Sequence, residues 1–159
     1  MKKALLAWCI IGLITLIASV AMCAGTVTQK LDKYNNANMR VLTFSWTGDA
    51  SNGTVPSTAT STAITADIAG WYVYSIETNP GAVAPTTLYD IVINDAEGFD
   101  IAGGMLANRS ATATEKVLPR LDTTNNIYGG VLVDGALTLA ISNQSVVSAT
   151  GTVKLVLTK

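Results

Sequence analysis

Asp95-Ala96-Glu97-Gly98-Phe99-Asp100 places three carboxylates and a glycine within six residues, with Asp90 shortly before them. Hard cations such as calcium take oxygen ligands on sharply turning loops, so Asp95, Glu97 and Asp100 form a candidate calcium site. The run lacks the bidentate glutamate that closes an EF-hand loop, and a second reading stays open. In that reading Asp95 accepts hydrogen bonds from nearby amides of a hairpin turn while Gly98 takes positive φ. Paired carboxylates also run glycoside hydrolysis when they stand roughly 5 Å or 6.5 to 9.5 Å apart, a distance that sequence spacing does not supply.

Other chemistries are removed by composition. The chain has no histidine, which excludes Ser-His-Asp and Cys-His nucleophile pairs, histidine-ligated metals and every imidazole acid or base. No Gly-x-Ser-x-Gly elbow occurs, and Gly103-Gly104 and Gly129-Gly130 lack the lysine and helix signal of a phosphate-cradling loop. No catalytic or cofactor-binding residue is therefore assigned, and the chain reads as a non-enzyme. Trp46, Trp71, Tyr72, Tyr74, Tyr89 and Tyr128 could stack on sugars if several shared an exposed face. Trp46 and Trp71, however, sit in alternating patterns that favour burial.

These residues must be positioned by a chain of 159 residues, 49% hydrophobic and 13% charged. That length suits one domain. Lys2 and Lys3 precede Ala4 to Ala24, a run of 21 uncharged residues rich in Leu and Ile, which is the layout of an export signal. Cleavage fits after Ala21, with Ser19 and Ala21 as the small residues, or after Ala24, with Met22 at the less suitable third position. The same run is long enough for a retained membrane anchor, and Val20-Ala21-Met22-Cys23 is similar to a lipobox. All three readings predict an exported or extracytoplasmic chain with a leader helix over residues 1–24. Cys9 and Cys23 both lie in this leader, so no disulfide framework is expected in the body. The residues after the leader carry eight basic against eleven acidic side chains, a balance that disfavours nucleic acid.

Residues 25–38 are polar and read as a tether or short edge segment, followed by a single domain over 39–159. Met39 to Trp46 alternates, with Leu42, Phe44 and Trp46 on one side, the pattern of a half-buried strand. Gly48 to Thr62 is poor in large apolar groups and reads as a mobile surface loop. Trp71 to Thr78 reads as a strand with Trp71, Val73 and Ser75 on one face and Tyr72, Tyr74 and Ile76 on the other, with Ile64 to Ile68 a shorter strand candidate. Tyr89 to Asn94 follows with Tyr89, Ile91 and Ile93 inward, then the Asp95 to Gly98 turn into Phe99 to Ala102. Further candidate strands are Met105 to Ala107, Val117 to Leu121, Tyr128 to Val133, Leu137 to Ser142 and Thr152 to Thr158, with Asp134-Gly135 a tight-turn signal. About seven to nine short strands, frequent turn signals and no helical stripe predict an all-β fold, an antiparallel β-sandwich or jelly roll. Such a fold has unpaired edges, and few charged edge residues are in place to block pairing, so a homo-oligomer or ordered array is expected.

Tyr89 to Ile101, followed by Gly103-Gly104 and Asn108-Arg109-Ser110, resembles small β-rich proteins encoded among the structural genes of tailed phages and prophages. In that family an early Trp-Thr, a Pro before a Tyr-Asp strand, an Asp-x-x-Gly-x-Asp turn and an Asn-Arg pair recur in this order. Trp46-Thr47, Pro85, Gly98, Asn108, Arg109, Asp134 and Gly135 fall in line here. The resemblance implies a virion-associated or accessory structural subunit, with these positions serving as turn and structural residues. The leader departs from that family. It implies a phage-derived gene now exported, a virus that meets a membrane during assembly, or a start at Met22 or Met39. The expected partners are other protein subunits, with the membrane engaged only through the leader. The alternative is an exported cell-surface or glycan-binding module that uses its aromatic residues and the Asp95 to Asp100 loop.

Overall fold

The computed structural model describes residues 24–34 and 38–159; the leader helix expected over residues 1–24 falls, except for Ala24, outside the described residues. The chain is mostly β, with antiparallel sheets and one described helix. Eleven strands are β1 (Thr26–Lys33), β2 (Met39–Thr47), β3 (Thr58–Ala59), β4 (Tyr72–Pro80), β5 (Asp90–Asn94), β6 (Glu115–Val117), β7 (Arg120–Asp122), β8 (Ile127–Tyr128), β9 (Val131–Leu132), β10 (Thr138–Ser142) and β11 (Thr150–Thr158). The helix α1 spans Thr62–Ile68. A large sheet runs in the order β1-β2-β11-β4-β6, with β9 also on β4; a second runs β3-β10-β5, and β7 pairs with β8 in a two-stranded ribbon.

Period-two sequence builds the large sheet. In β2 the side chains of Leu42, Phe44 and Trp46 are buried. In β11 Val153, Leu155 and Leu157 are buried between the flanking β2 and β4. The register sets Leu155 opposite Leu42 on one side and Ile76 on the other. Each such side chain, fully withdrawn from water, contributes about 1.5 to 3 kcal/mol. Residues 26–33 of the polar segment form β1, an edge strand on β2 with Lys30, Asp32 and Lys33 among its residues.

One strand departs from simple alternation. Val156 faces Ser75 and Leu157 faces Val73, so Tyr74 is an extra residue in β4 with no β11 partner. Such a bulge reverses the side on which later residues emerge. Trp71 and Val73 point inward before it, and Ile76 and Thr78 point inward after it. This corrects the sequence reading that grouped Ile76 with Tyr72 and Tyr74.

The small sheet supplies Ile91, Ile93 and Leu139 to the same core cluster as Leu42, Phe44 and Leu155. Tyr89 lies against Trp46 with ring centroids 5.8 Å apart and planes tilted by 55°, a geometry worth about 0.5 to 1.5 kcal/mol beyond area burial. Gly151 makes room for this indole: a Cβ there would stand 2.6 Å from Trp46 Cζ2.

Three further expectations are corrected. Ile64 to Ile68 belongs to α1 instead of a strand, because Ser61 caps it by accepting from the Ile64 amide and Ile64 and Ile68 fall one turn apart on the packed side. Residues 48–62, expected to be a mobile loop, are pinned: Asp49 accepts from the Ser51 and Asn52 amides, Gln144 Nε2 donates to Gly53 O at 2.8 Å, and Val55 is buried. Phe99 to Ala102 and Met105 to Ala107 form turns, held to β5 by the isolated Asn94–Asp100 bridge and by the Ile101 N to Ile93 O and Ile91 N to Leu106 O hydrogen bonds. Asp100 is the cause, since its two carboxylate oxygens accept from the Ala102 and Gly104 amides and curl the chain away from the ladder.

Candidate functional site: turn cluster and exposed surfaces

The acidic turn cluster begins where β5 ends. Asp95 Oδ1 accepts from the Glu97 and Phe99 amides at 3.1 and 2.7 Å, and the Asp95 amide donates to Phe99 O. Gly98 holds φ +85°, the left-handed conformation this tight return needs. Phe99 and Glu97 are exposed. Asp100 caps the next turn, and Arg120 of β7 reaches back with Nε and Nη2 to Gly103 O at 3.1 and 2.9 Å. The Asp95, Glu97 and Asp100 positions thus adjoin in the chain, but the Asp95 and Asp100 carboxylates are engaged by backbone amides. Among the described residues no group of three His, Cys, Asp or Glu side chains is placed to hold a metal ion.

Asp90 does more than the sequence showed. One carboxylate oxygen accepts from the Asn108 amide at 2.7 Å and the other from Asn143 Nδ2 at 2.6 Å, tying β5 to two turns whose asparagines have φ +54° and +56°. Arg109 folds onto Ala107 O through Nε and Nη2, pairs with Glu115 at 3.6 Å, and its amide bonds Tyr89 O. The Tyr89 phenol beneath is pushed up to about 12, first by burial and then by the Glu115 carboxylate, with Arg109 opposing. Asp134 and Gly135 lie between β9 and β10, where Asp134 is exposed. Asp90, Asn108, Arg109 and Asn143 are thus joined by structural hydrogen bonds that fix loop shape.

The aromatic residues divide. Trp46, Trp71 and Tyr89 are buried, Trp71 with the Arg40 guanidinium 4.2 Å above its ring. Arg40 is in turn paired with Asp67, whose carboxyl is held below the ordinary range by its hydrogen bond from Lys33. Tyr72, Tyr74 and Tyr128 remain 46%, 56% and 47% exposed. Tyr72 pairs with Leu132 across β4 and β9, so the two side chains leave the sheet on one side. The chain arriving from β8 passes close by, since a Cβ on Gly130 would lie 3.3 Å from that of Tyr72. Tyr72 and Leu132 thus form the centre of an exposed apolar strip on β4 and β9, with Tyr74 further along β4, and the ribbon carries its own exposed Leu121, Ile127 and Tyr128. The bulge at Tyr74 and the β4–β9 pairing create it, and neither has a local sequence signature.

A shallow groove of about 310 Å³ lies over the outward face of β1, β2 and β11, lined by Thr26, Thr28, Ser45, Thr47, Thr150 and Thr152 among others. Its lining combines threonine and serine hydroxyls with Trp46, Gly81 and Gly151 and carries no formal charge. Comparison with known proteins yields no matching family model, no matching curated protein and no matching solved structure.

Proposed function

We propose that the chain is a non-enzymatic structural subunit that packs against other protein subunits, in the manner of a phage-virion accessory protein. Its two main sheets are read as the layers of an antiparallel β-sandwich or jelly roll, a reading supported by the core they share. The observation that carries the functional reading is the exposed apolar strip of Tyr72, Tyr74 and Leu132, with Ile127 and Tyr128 exposed on the ribbon. Contiguous apolar surface on a soluble domain marks an interaction site, and aromatic side chains supply contact area with little rotamer entropy to lose.

The strip is favoured over the β1 edge as the packing surface. That edge carries Lys30, Asp32 and Lys33, with Lys30 paired to Asp32 at 2.8 Å, and Gln29 turns its amide group to Ala59 O and the Ser61 amide. Charges and side-chain bonds of this kind discourage strand addition. A second reading rests on the same tyrosines. Three half-exposed phenol rings also suit a glycan platform on an exported surface module.

Density-gradient separation of the expressing culture, with intact-mass spectrometry on each fraction, tests the first reading. The chain is expected in a fast-sedimenting assembly, and Tyr72→Ser/Leu132→Ser is expected to release monomer with an unchanged melting midpoint. Wild-type chain that is monomeric in every fraction overturns subunit packing. Tyrosine fluorescence that saturates with added oligosaccharide, and loses that response in the double variant, moves the assignment to the glycan module.

A further inference from the structure

The first described residues are Ala24, at the end of the leader, and Gly25, and β1 begins at Thr26. No spacer separates the uncharged run Ala4 to Ala24 from the sheet. Three loops close around this point. Residues 48–54 are held by Asp49 N to Thr54 O at 2.8 Å, residues 81–84 by Thr150 N to Val83 O at 2.9 Å, and residues 145–149 by Gly48 N to Ala149 O at 2.8 Å. The loops are also joined to one another, through Gln144 Nε2 to Gly53 O and Ser148 N to Asp49 O.

The composition of this end differs from the rest of the surface. Its exposed side chains include Ala82, Val83, Ala84, Val146 and Val147, interspersed with Ser51, Asn52, Ser145 and Ser148. Its one charged residue among the three loops is Asp49, only 7% exposed, with its carboxylate turned onto Ser51 and Asn52. The opposite end of the large sheet carries Lys33, Arg40, Asp67 and Lys159 around Trp71.

We propose that the Gly25 end is a bilayer-contacting face, with residues 4–24 inserted and Val83, Val146 and Val147 resting at the headgroup and acyl boundary. Twenty-one uncharged residues meet the roughly 20 needed to cross the hydrocarbon core. Lys2 and Lys3 place the start of the run on the cytoplasmic side, and so the β domain on the other. Only Gly25 stands between that run and β1, so an inserted run brings the loops at the junction to the headgroups. An uncharged loop end lowers the desolvation cost of that contact, whereas lysines and aspartates there would raise it. With no basic residue in the face, contact is expected to be indifferent to anionic lipid and to salt. The proposal is independent of subunit packing through the tyrosine strip, which lies on other elements.

The test uses the full chain with Cys9→Ser and Cys23→Ser, reconstituted in phosphatidylcholine vesicles. A polarity-sensitive fluorophore is placed at Val83→Cys, at Val147→Cys, or at Ala66→Cys on exposed α1, each variant first checked for an unchanged melting midpoint. The chain is expected to float with the vesicles after an alkaline carbonate wash. Labels at 83 and 147 are expected to be quenched several-fold more by lipid-borne nitroxide than the label at 66, which instead responds to aqueous iodide. Equal iodide access at all three sites overturns the proposal, as does failure to float. Protection from iodide at 147 without nitroxide quenching also overturns it, and assigns that end to contact with a second copy of the chain.

Discussion

Gly151→Ala tests the packing that joins the two main sheets. A Cβ at this position would stand 2.6, 2.7 and 2.9 Å from Cζ2, Cε2 and Nε1 of Trp46. The indole has little room to yield, because it is 2% exposed and lies against Tyr89. Overpacking of a filled core costs about 1 to 3 kcal/mol, and the reduced entropy of the unfolded chain on Gly→Ala returns about 0.4 to 1 kcal/mol. With a contact this close the overpacking cost falls in the upper half of its range, about 2 to 3 kcal/mol, so the expected net loss is about 1 to 2.6 kcal/mol, which for a domain of this size lowers the melting midpoint by about 3 to 9 °C. Urea and thermal unfolding followed by tryptophan fluorescence measure it, with a shifted emission maximum as Trp46 is displaced. In a Trp46→Phe background the same substitution should cost at least about 0.5 kcal/mol less, since the smaller ring removes the clash. An unchanged or raised midpoint for Gly151→Ala, or strict additivity with Trp46→Phe, refutes the account.

Three other outcomes are expected. The Tyr89 phenol, raised from an ordinary 10.0 to about 12 by burial, contributes stability that is complete below pH 10 and is lost as pH rises through about 12. The loss approaches about 3 kcal/mol at its limit, with about 2 kcal/mol of it complete by pH 12, and denaturant titrations of wild type and Tyr89→Phe between pH 9 and pH 12 should show it in the wild type alone. Calcium at millimolar concentration should leave the melting midpoint unmoved, whereas Asp95→Ala, which strips two backbone amides of their acceptor, should cost about 0.5 to 2 kcal/mol, as loss of a comparable cap does; a calcium-dependent rise in the midpoint would restore the cation site. Deleting residues 152–159 removes most of the strand that joins β2 to β4 and should leave insoluble protein, and a soluble, cooperatively melting truncation would contradict the topology.

Local pattern was enough wherever burial follows a fixed period. Leu42, Phe44 and Trp46, and Ile91 and Ile93, were legible as inward faces because strand side chains alternate and one side meets the core, and the terminal strand was legible from the same alternation. The Asp95 to Gly98 turn was legible for a similar reason: an aspartate that bonds its own following amides and a glycine that accepts positive φ act within a few residues. Composition likewise fixed what chemistry the chain lacks, since without histidine no imidazole exists anywhere in it.

What remained hidden depends on partners distant in sequence. The bulge at Tyr74 appears only when β4 is set against β11, and it alone turns Ile76 inward while leaving Tyr72 and Tyr74 in solvent. β1 is polar and lacks a strong inward stripe, and its pairing with β2 makes it a strand. Residues 48–62 carry too little apolar surface to order themselves, yet Gln144, far along the chain, fastens them at Gly53. Asp90 reads as one acid among eleven until its two oxygens are seen to bind Asn108 and Asn143. The sequence alone therefore determined which residues seek burial and where the chain can turn, because those preferences act over a few bonds. Tertiary structure decided which face each strand presents, which loops are held and where apolar surface is left exposed, because each of these depends on the register between strands far apart in the chain.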